Sequence, residues 1–247
     1  MVMVTMGRTS ITHTPPEALF RRSLPAWKRS MDIVGALVAL VLFSPIMIGV
    51  AIYIRATSPG RVLFRQERIG YLGRKFMMVK FRTMSEGGSQ AAHKEHVLSL
   101  IREDSGASPK ARGREMEKLG NDSRIIRGGN FLRKAHFDEL PQLFNVLRGE
   151  MSLVGPRPPI GYEVQAYDQW QTARLDAVPG MTGLWQVNGK NNTTFREMVR
   201  FDIRYARDRS IYLDTIILFQ TCLMVANQAL GRAEEGGGKQ EQVPHQA

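Results

Sequence analysis

Cysteine is nearly absent. Cys222 is the only one in 247 residues, which excludes an intramolecular disulfide framework and a Cys-rich zinc site. The five histidines are scattered and show no HExxH spacing, which argues against a zinc enzyme. Acid is also scarce. With 34 Lys and Arg against 23 Asp and Glu, the formal charge is +11. Apolar residues make up 43%, enough to bury a core and to exclude wholesale disorder. No internal repeat of solenoid or propeller period is present. The charge requires an anionic partner: nucleic acid, an acidic membrane face or a phosphorylated substrate.

Long hydrophobic runs are also few, and one dominates. Ile33 to Ile54 carries no charge over 22 residues, and a membrane-crossing helix needs about 20. Ser44-Pro45 lies at its centre, where proline removes a donor and clashes with the preceding turn, so a kink is expected. Positive charge marks cytoplasmic flanks, and both flanks carry it. Arg21, Arg22, Lys28 and Arg29 precede the run, and Arg55, Arg61, Arg65 and Arg68 follow it. A re-entrant membrane helix over 28–55, broken at Ser44-Pro45 and returning to its starting face, fits this symmetry better than a simple span. Each arm of about ten residues rises only about 15 Å.

Residues 1–27 read as a flexible N-terminal lead-in and 233–247 as a disordered tail. Arg61 to Met84 reads as a small β-hairpin turning at Gly70 and Gly73. Residues 85–118 read as an insertion loop with a short helix over His93 to Arg102. Asn130 to Glu139 and Pro141 to Leu147 have helical spacing, and Thr193 to Arg209 is a charged amphipathic helix. Ile211 to Leu230 is apolar but interrupted by Asp214, Gln220, Asn227 and Gln228, which suits an interfacial or core helix rather than a second span. The expected fold is α+β and mostly helical: a re-entrant membrane helix, a small β-hairpin and amphipathic interfacial helices. Residues 28–232 are expected to form a single membrane-anchored domain.

Asp138 and Glu139 stand side by side just before Pro141. Neighbouring side chains on a helix diverge by about 100°, so the two can converge only at a helix end or break. Such a pair can bind Mg²⁺ together with substrate phosphate, or one carboxylate can act as nucleophile. Arg124, Arg127, Arg133, Lys134 and Arg148 surround them. Arg157 sits in the stiff loop Gly155-Pro156-Arg157-Pro158, and a guanidinium chelates phosphate oxygens as a fork. Lys80 and Arg82 alternate on one expected strand face and would add a second basic row. Trp185 and Gln186 either line a ligand site or pack in a turn-rich loop.

Read in order, Lys28-Arg29-Ser30-Met31-Asp32, the run with Ser44-Pro45, Phe64-Arg65-Gln66-Glu67-Arg68-Ile69-Gly70 and Lys80-Phe81-Arg82-Thr83-Met84 form a recognisable series. It continues through Asp138-Glu139-Leu140-Pro141-Gln142-Leu143-Phe144-Asn145-Val146, Met151-Ser152-Leu153-Val154-Gly155-Pro156-Arg157-Pro158 and Pro179-Gly180-Met181-Thr182-Gly183-Leu184-Trp185-Gln186-Val187. The series resembles the compact bacterial sugar transferases, the monotopic polyprenyl-phosphate phosphoglycosyl transferases, over roughly Lys28 to Arg232.

The resemblance implies an undecaprenyl-phosphate sugar phosphotransferase. It would move a sugar 1-phosphate from a UDP-sugar to undecaprenyl phosphate and release UMP, in exopolysaccharide or related glycan synthesis. It implies that Asp138 is the nucleophile forming an aspartyl phosphosugar, that Glu139 assists, and that Asp138 holds Mg²⁺. Lys80, Arg82, Arg133, Gln142, Asn145, Arg157, Trp185 and Gln186 become the expected phosphate- and substrate-binding residues. The expected location is the bacterial inner membrane, with the catalytic domain on the cytoplasmic face in contact with membrane lipid. A homodimer or downstream glycosyltransferases are candidate partners, and nucleic acid is not. Ala135-His136-Phe137 departs from the family's usual small polar residues and Leu, and His136 reads as a surface residue. The rival reading is a non-catalytic protein that binds anionic lipid at the membrane surface. It does not account for acid placed against an acidic surface.

Overall fold

The computed structural model describes residues 24–85, 91–104, 124–189 and 193–229. Most of the expected lead-in, the C-terminal tail and most of the 85–118 stretch lie outside these residues. The fold is mostly helical, with two small two-stranded sheets.

Helix α1, Ala26–Thr57, holds the hydrophobic run and is helical throughout, with Pro45 inside it. The kink expected at Ser44-Pro45 does not divide it into two elements, and the reason is local. Proline at 45 has no N–H to give to the carbonyl of Val41. The Ser44 hydroxyl donates to that oxygen at 2.9 Å instead, as Ser side chains do for proline within membrane helices. Burial along α1 is confined to its ends. Lys28, Asp32 and Ala36 are buried at one end and Val50 and Ile54 at the other, while Val38, Val41, Leu42 and Ile48 are exposed.

Both buried ends dock on the same body. Ala36 joins a core with Phe76, Met78, Leu143, Val146, Met151, Leu153, Val154, Tyr205 and Ile217. Val50 and Ile54 join a second cluster with Phe81, Ile126 and Leu132. Gly35 lets α1 approach this core closely, because a Cβ there would run into the Leu153 side chain. Arg29 reaches from α1 to the last turn of a later helix, α4 (Gln142–Arg148), and donates to Val146 O at 2.6 Å and Leu147 O at 2.7 Å. A helix end deprives such carbonyls of their intrahelical donors, and Val146 O also accepts from Gly149 N at 2.9 Å.

A polar network also secures the root of α1. Lys28 Nζ lies 2.7 Å from Asp214 Oδ2 and 3.4 Å from Asp32 Oδ1. Asp32 Oδ1 accepts from Ser152 Oγ at 2.8 Å and Leu153 N at 3.0 Å. The Tyr205 hydroxyl lies 2.8 Å from Asp214 Oδ1. Asp214, which reads in the sequence as an interruption of an apolar helix, is fully buried as the counter-charge of Lys28.

The expected hairpin is present. Strand β1, Leu63–Ile69, pairs antiparallel with β2, Lys75–Phe81, with Phe64 opposite Lys80. A parallel pair, β3 (Ser152–Val154) and β4 (Gly180–Thr182), lies beside it. Gly155 and Gly180 permit that pairing, since a Cβ at either would collide with the facing backbone. Helix α2, Ala91–Asp104, is longer than the expected short helix and is part of the body rather than an appended loop. Its Ile101 is buried with Trp185, Phe195, Met198 and Val199.

The expected helix over Asn130 to Glu139 ends early. Helix α3 covers Gly129–Lys134, and His136 turns left-handed with φ 56°. The short helices α5 (Gly161–Gln165) and α6 (Leu184–Gly189) follow α4. The charged amphipathic segment forms α7, Phe195–Asp208, with Thr194 and Glu197 closing a reciprocal cap, which satisfies two of its orphan donors. Helix α8, Ile211–Ala229, completes the described chain.

Candidate active site

Asp138 and Glu139 lie in a single 3₁₀ turn, Phe137–Glu139, between α3 and α4. The left-handed His136 ends α3, and Pro141 precedes the first residue of α4. The pair therefore sits at a break, as two adjacent carboxylates must if both are to face one site. Asp138 is buried. Glu139 takes a 2.7 Å ion pair from Lys80 Nζ, and His136 Nδ1 lies 3.8 Å from its other oxygen.

The two carboxylates have different acidities. Burial pushes the Asp138 carboxyl up to about 6, and the charge of Glu139 adds to the rise, against the pull of Lys80, His136 and Arg133. For Glu139 burial works in the same upward direction, but Lys80 and the His136 contact outweigh it and hold the group below the ordinary carboxylate range. The turn thus presents one firmly ionised acid and one whose charge is costly. Divergent environments for two neighbouring acids are a mark of a functional site.

Asn145 sets this geometry without facing it. Its side chain accepts from Val79 N at 3.1 Å and donates to Met77 O at 2.8 Å. The amide pairs with the edge of β2 as a neighbouring strand would, and a further 2.6 Å bond joins it to Glu150. That pairing fixes Lys80, the next residue of β2, relative to the turn that leads into α4. Asn145, expected among the substrate-binding residues, is completely buried, with its amide engaged by β2 and Glu150.

Two other expected ligand residues are also used elsewhere. Arg82 stays in the hairpin register one residue past β2, its N donating to Val62 O at 2.9 Å, but its side chain is spent elsewhere. Its guanidinium donates to Pro59 O at 2.6 Å and Ser58 O at 3.0 Å, where α1 ends. Gly60 leaves room for it, because a Cβ there would lie 2.6 Å from Arg82 Nη1. Trp185 is packed rather than presented, and its Nε1 donates to Thr193 Oγ1 at 2.7 Å. Gln142 is buried on α4, and Gln186 Oε1 is buried on α6 without a hydrogen-bond partner. Arg133 is half-buried and acts electrostatically on Asp138.

Arg157 connects to the turn through a residue that sequence reasoning assigned elsewhere. Arg68 reads as one of the charges flanking the membrane segment, but it is buried at the end of β1. Its Nη1 donates to Pro158 O at 2.9 Å, and Ile69 N donates to Pro159 O at 2.9 Å, so the hairpin grips the Pro-Arg-Pro loop. Burial and the adjacent Arg157 push Arg68 down to about 10, while Glu163 and Glu139 pull it back up. One electrostatic cluster therefore runs from Glu139 through Arg68 to Arg157. Only its place among the quoted motif residues could have singled out Arg68. Behind the cluster, Arg174 and Asp202 form a fully buried ion pair.

Asp138 offers one carboxylate, and Glu139 is committed to Lys80. Among the described residues no three His, Cys, Asp or Glu side chains cluster as a metal cage. Mg²⁺ commonly needs only one or two carboxylates when substrate phosphates and water complete its octahedron, so this donor set is compatible with Mg²⁺ arriving with a diphosphate.

The family model described as bacterial sugar transferase matches residues 23–228. An exopolysaccharide production protein of Rhizobium meliloti, ExoY, is 40% identical over 196 residues, covering 78% of this chain and 83% of that protein. The undecaprenyl-phosphate galactose phosphotransferase of Salmonella typhimurium is 41% identical over 84% of this chain but 42% of its own length. The UDP-glucose:undecaprenyl-phosphate glucose-1-phosphate transferase of Xanthomonas campestris is 35% identical over 81% of this chain and 39% of its own length. The chain thus spans most of the shorter relative and about two fifths of the longer ones, and with a family match over nearly all of its described residues it belongs to the bacterial sugar transferase family.

Proposed function

We propose that this chain transfers a sugar 1-phosphate from a UDP-sugar to undecaprenyl phosphate, with Asp138 as nucleophile, in exopolysaccharide or related glycan synthesis. The observation that carries the residue assignment is the pairing of a buried Asp138 with a Glu139 clamped by Lys80. The names of the relatives support the reaction class.

In the first step an Asp138 Oδ–phosphorus bond forms at the sugar-bearing phosphorus, the bridging P–O bond breaks, and UMP leaves with that oxygen. In the second step a phosphate oxygen of the lipid attacks the same phosphorus, the Oδ–P bond breaks, and Asp138 is restored as a carboxylate. The desolvated carboxylate is poorly solvated before attack, so little water must be removed to reach phosphorus. Lys80 holds Glu139 ionised and offsets the charge that a diphosphate brings. Arg133 and Arg157 are the proposed phosphate holders, supported by their coupling to the Asp138 and Arg68 sides of one cluster. Asp138, with Glu139 beside it, would hold Mg²⁺ together with the donor diphosphate. That ion would supply charge neutralisation at the phosphorus.

The membrane arrangement completes the reading. With both ends of α1 on one body and its middle bare, a re-entrant insertion keeps both basic flanks on the cytoplasmic face of the inner membrane. The lipid acceptor then meets the site at the surface. Incubating the purified protein with a panel of UDP-sugars, Mg²⁺ and undecaprenyl phosphate should release UMP with at least one donor. A folded protein that releases none from any donor would sink the proposal.

A further inference from the structure

Glu163 is the least explained charge in the molecule. It lies on α5, is completely buried, and neither carboxylate oxygen has a hydrogen-bond partner. Its one ion pair is loose, with Arg157 Nη1 at 3.9 Å from Oε2. A carboxylate taken from water without hydrogen bonds is held at high cost, so nearby cations must offset it. Three arginines are in position to do so. Arg157 is the ion-pair partner, and Glu163 acts electrostatically on Arg68 and Arg174.

Their commitments differ. Arg174 is tied to Asp202, to Tyr167 Oη at 2.9 Å and to Arg157 O at 3.1 Å. Arg68 is tied to Pro158 O and to Gln66 Oε1 at 2.8 Å. Arg157 alone faces outward, its side chain 29% exposed, between two flanking prolines that restrict its backbone. The Arg174 bond to its carbonyl holds that backbone from behind. Arg157 and Arg68 repel each other. A fork aimed at solvent beside a like charge would swing away unless an opposite charge held it.

We infer that Glu163 is a positioning residue: it holds the Arg157 guanidinium against the repulsion of Arg68, so that the outer N–H groups of Arg157 stay directed at a diphosphate in the site. The looseness of the 3.9 Å pair is part of the device. A full bidentate Glu–Arg bond would consume the donors the anion needs, whereas a pair without a hydrogen bond orients the cation and leaves its fork open. This rests on the reading of Arg157 as a phosphate holder.

The test uses the full-length protein in detergent, with UDP as the binding probe, the donor that supports turnover, and the variants Glu163→Gln, Arg157→Gln and the double variant. Glu163→Gln should weaken UDP binding and raise KM for the donor by about tenfold, with kcat within about twofold of wild type. In the Arg157→Gln background, which also relieves the charge left behind, Glu163→Gln should change UDP affinity by less than about twofold. Wild-type KM and UDP affinity in Glu163→Gln would overturn the inference. So would a further tenfold loss in the double variant, because Glu163 would then act by another route. If Glu163→Gln does not fold, Glu163→Asp, which keeps the charge but shortens its reach to Arg157, takes its place: it should weaken UDP binding and raise the donor KM, and wild-type values in it would overturn the inference. Failure of the underlying reading looks different: wild type itself releases no UMP, or Arg157→Gln binds UDP as tightly as wild type.

Discussion

Lys80 and Glu139 sit 59 positions apart in sequence and meet at 2.7 Å, and this contact divides two adjacent carboxylates into unlike groups. Glu139 receives the cation and stays ionised. Asp138 receives the burial and the repulsion of its neighbour.

The cost of that arrangement is measurable in Asp138 itself. Its folded pKa of about 6 lies above its ordinary 3.8, so the folded state binds the extra proton between these values. Stability therefore falls as pH rises through about 6, and the whole penalty is present above it. Asp138→Asn should abolish UMP release yet raise thermal stability at about pH 8 by up to about 2 kcal/mol, with no gain below about pH 4. Melting curves across this range check it. A uniform loss of stability at every pH would contradict the assignment.

The pH–rate profile of the wild type follows from the same ionisation. Attack needs the carboxylate, so initial UMP release should rise through an acid limb near 6. In Glu139→Gln the neighbouring negative charge is gone and Lys80 is freed. Both changes favour ionised Asp138, so the limb should move to lower pH even as the rate falls. A limb that stays in place would separate it from Asp138.

Replacing Lys80 with Met keeps the length of the side chain and removes the cation. The pair is partly exposed, at 24% and 30% of the two side chains, so the stability loss should be only about 1 kcal/mol. Turnover should fall by about a hundredfold or more, as when a single charge-stabilising donor is removed from a site. Parallel melting and turnover measurements distinguish this from a structural role, which would move both together.

The membrane arrangement predicts labelling. In a Cys222→Ser background, single cysteines at Ser10 and Ser105 should both react with an impermeant maleimide added from the cytoplasmic side, and neither from the outside. Opposite exposure would show that α1 spans the bilayer.

Much of the fold is legible in the sequence because its signals are local. The turn glycines after β1, the apolar spacing of the charged helix after Thr193 and the uncharged run each depend on residues a few positions apart. The site is legible in part. Asp138 and Glu139 are conspicuous as an adjacent pair before a proline, and Arg157 as a guanidinium between prolines. What misleads is partnership at long range. Arg82 looks like a companion to Lys80 by alternation, but its guanidinium is taken by the carbonyls of Ser58 and Pro59. Asn145 looks like a ligand residue, yet its amide is consumed by a strand 66 to 68 positions away. Arg68 reads as a surface charge beside a membrane segment because nothing local shows that the hairpin tip folds under the Pro-Arg-Pro loop. The break at Ser44-Pro45 is legible as chemistry, and the structure holds Pro45 within one helical element in which the Ser44 hydroxyl takes up Val41 O.

The network at the root of α1 bears on how the protein can be handled. Lys28 is the cation facing the buried Asp214 in the first turn of α8, and Arg29 reaches the end of α4, the helix that follows the Asp138-Glu139 turn. A fragment cut after the membrane segment would not be the same enzyme without its anchor. It would bury Asp214 without Lys28, remove the Arg29 donors from Val146 O and Leu147 O, and expose the faces on which Ala36 and Ile54 rest. On the re-entrant reading proposed above, the segment that would meet lipid is also one wall of the body that carries Asp138 and Glu139, so removing lipid or detergent should disturb that body as well as the anchor.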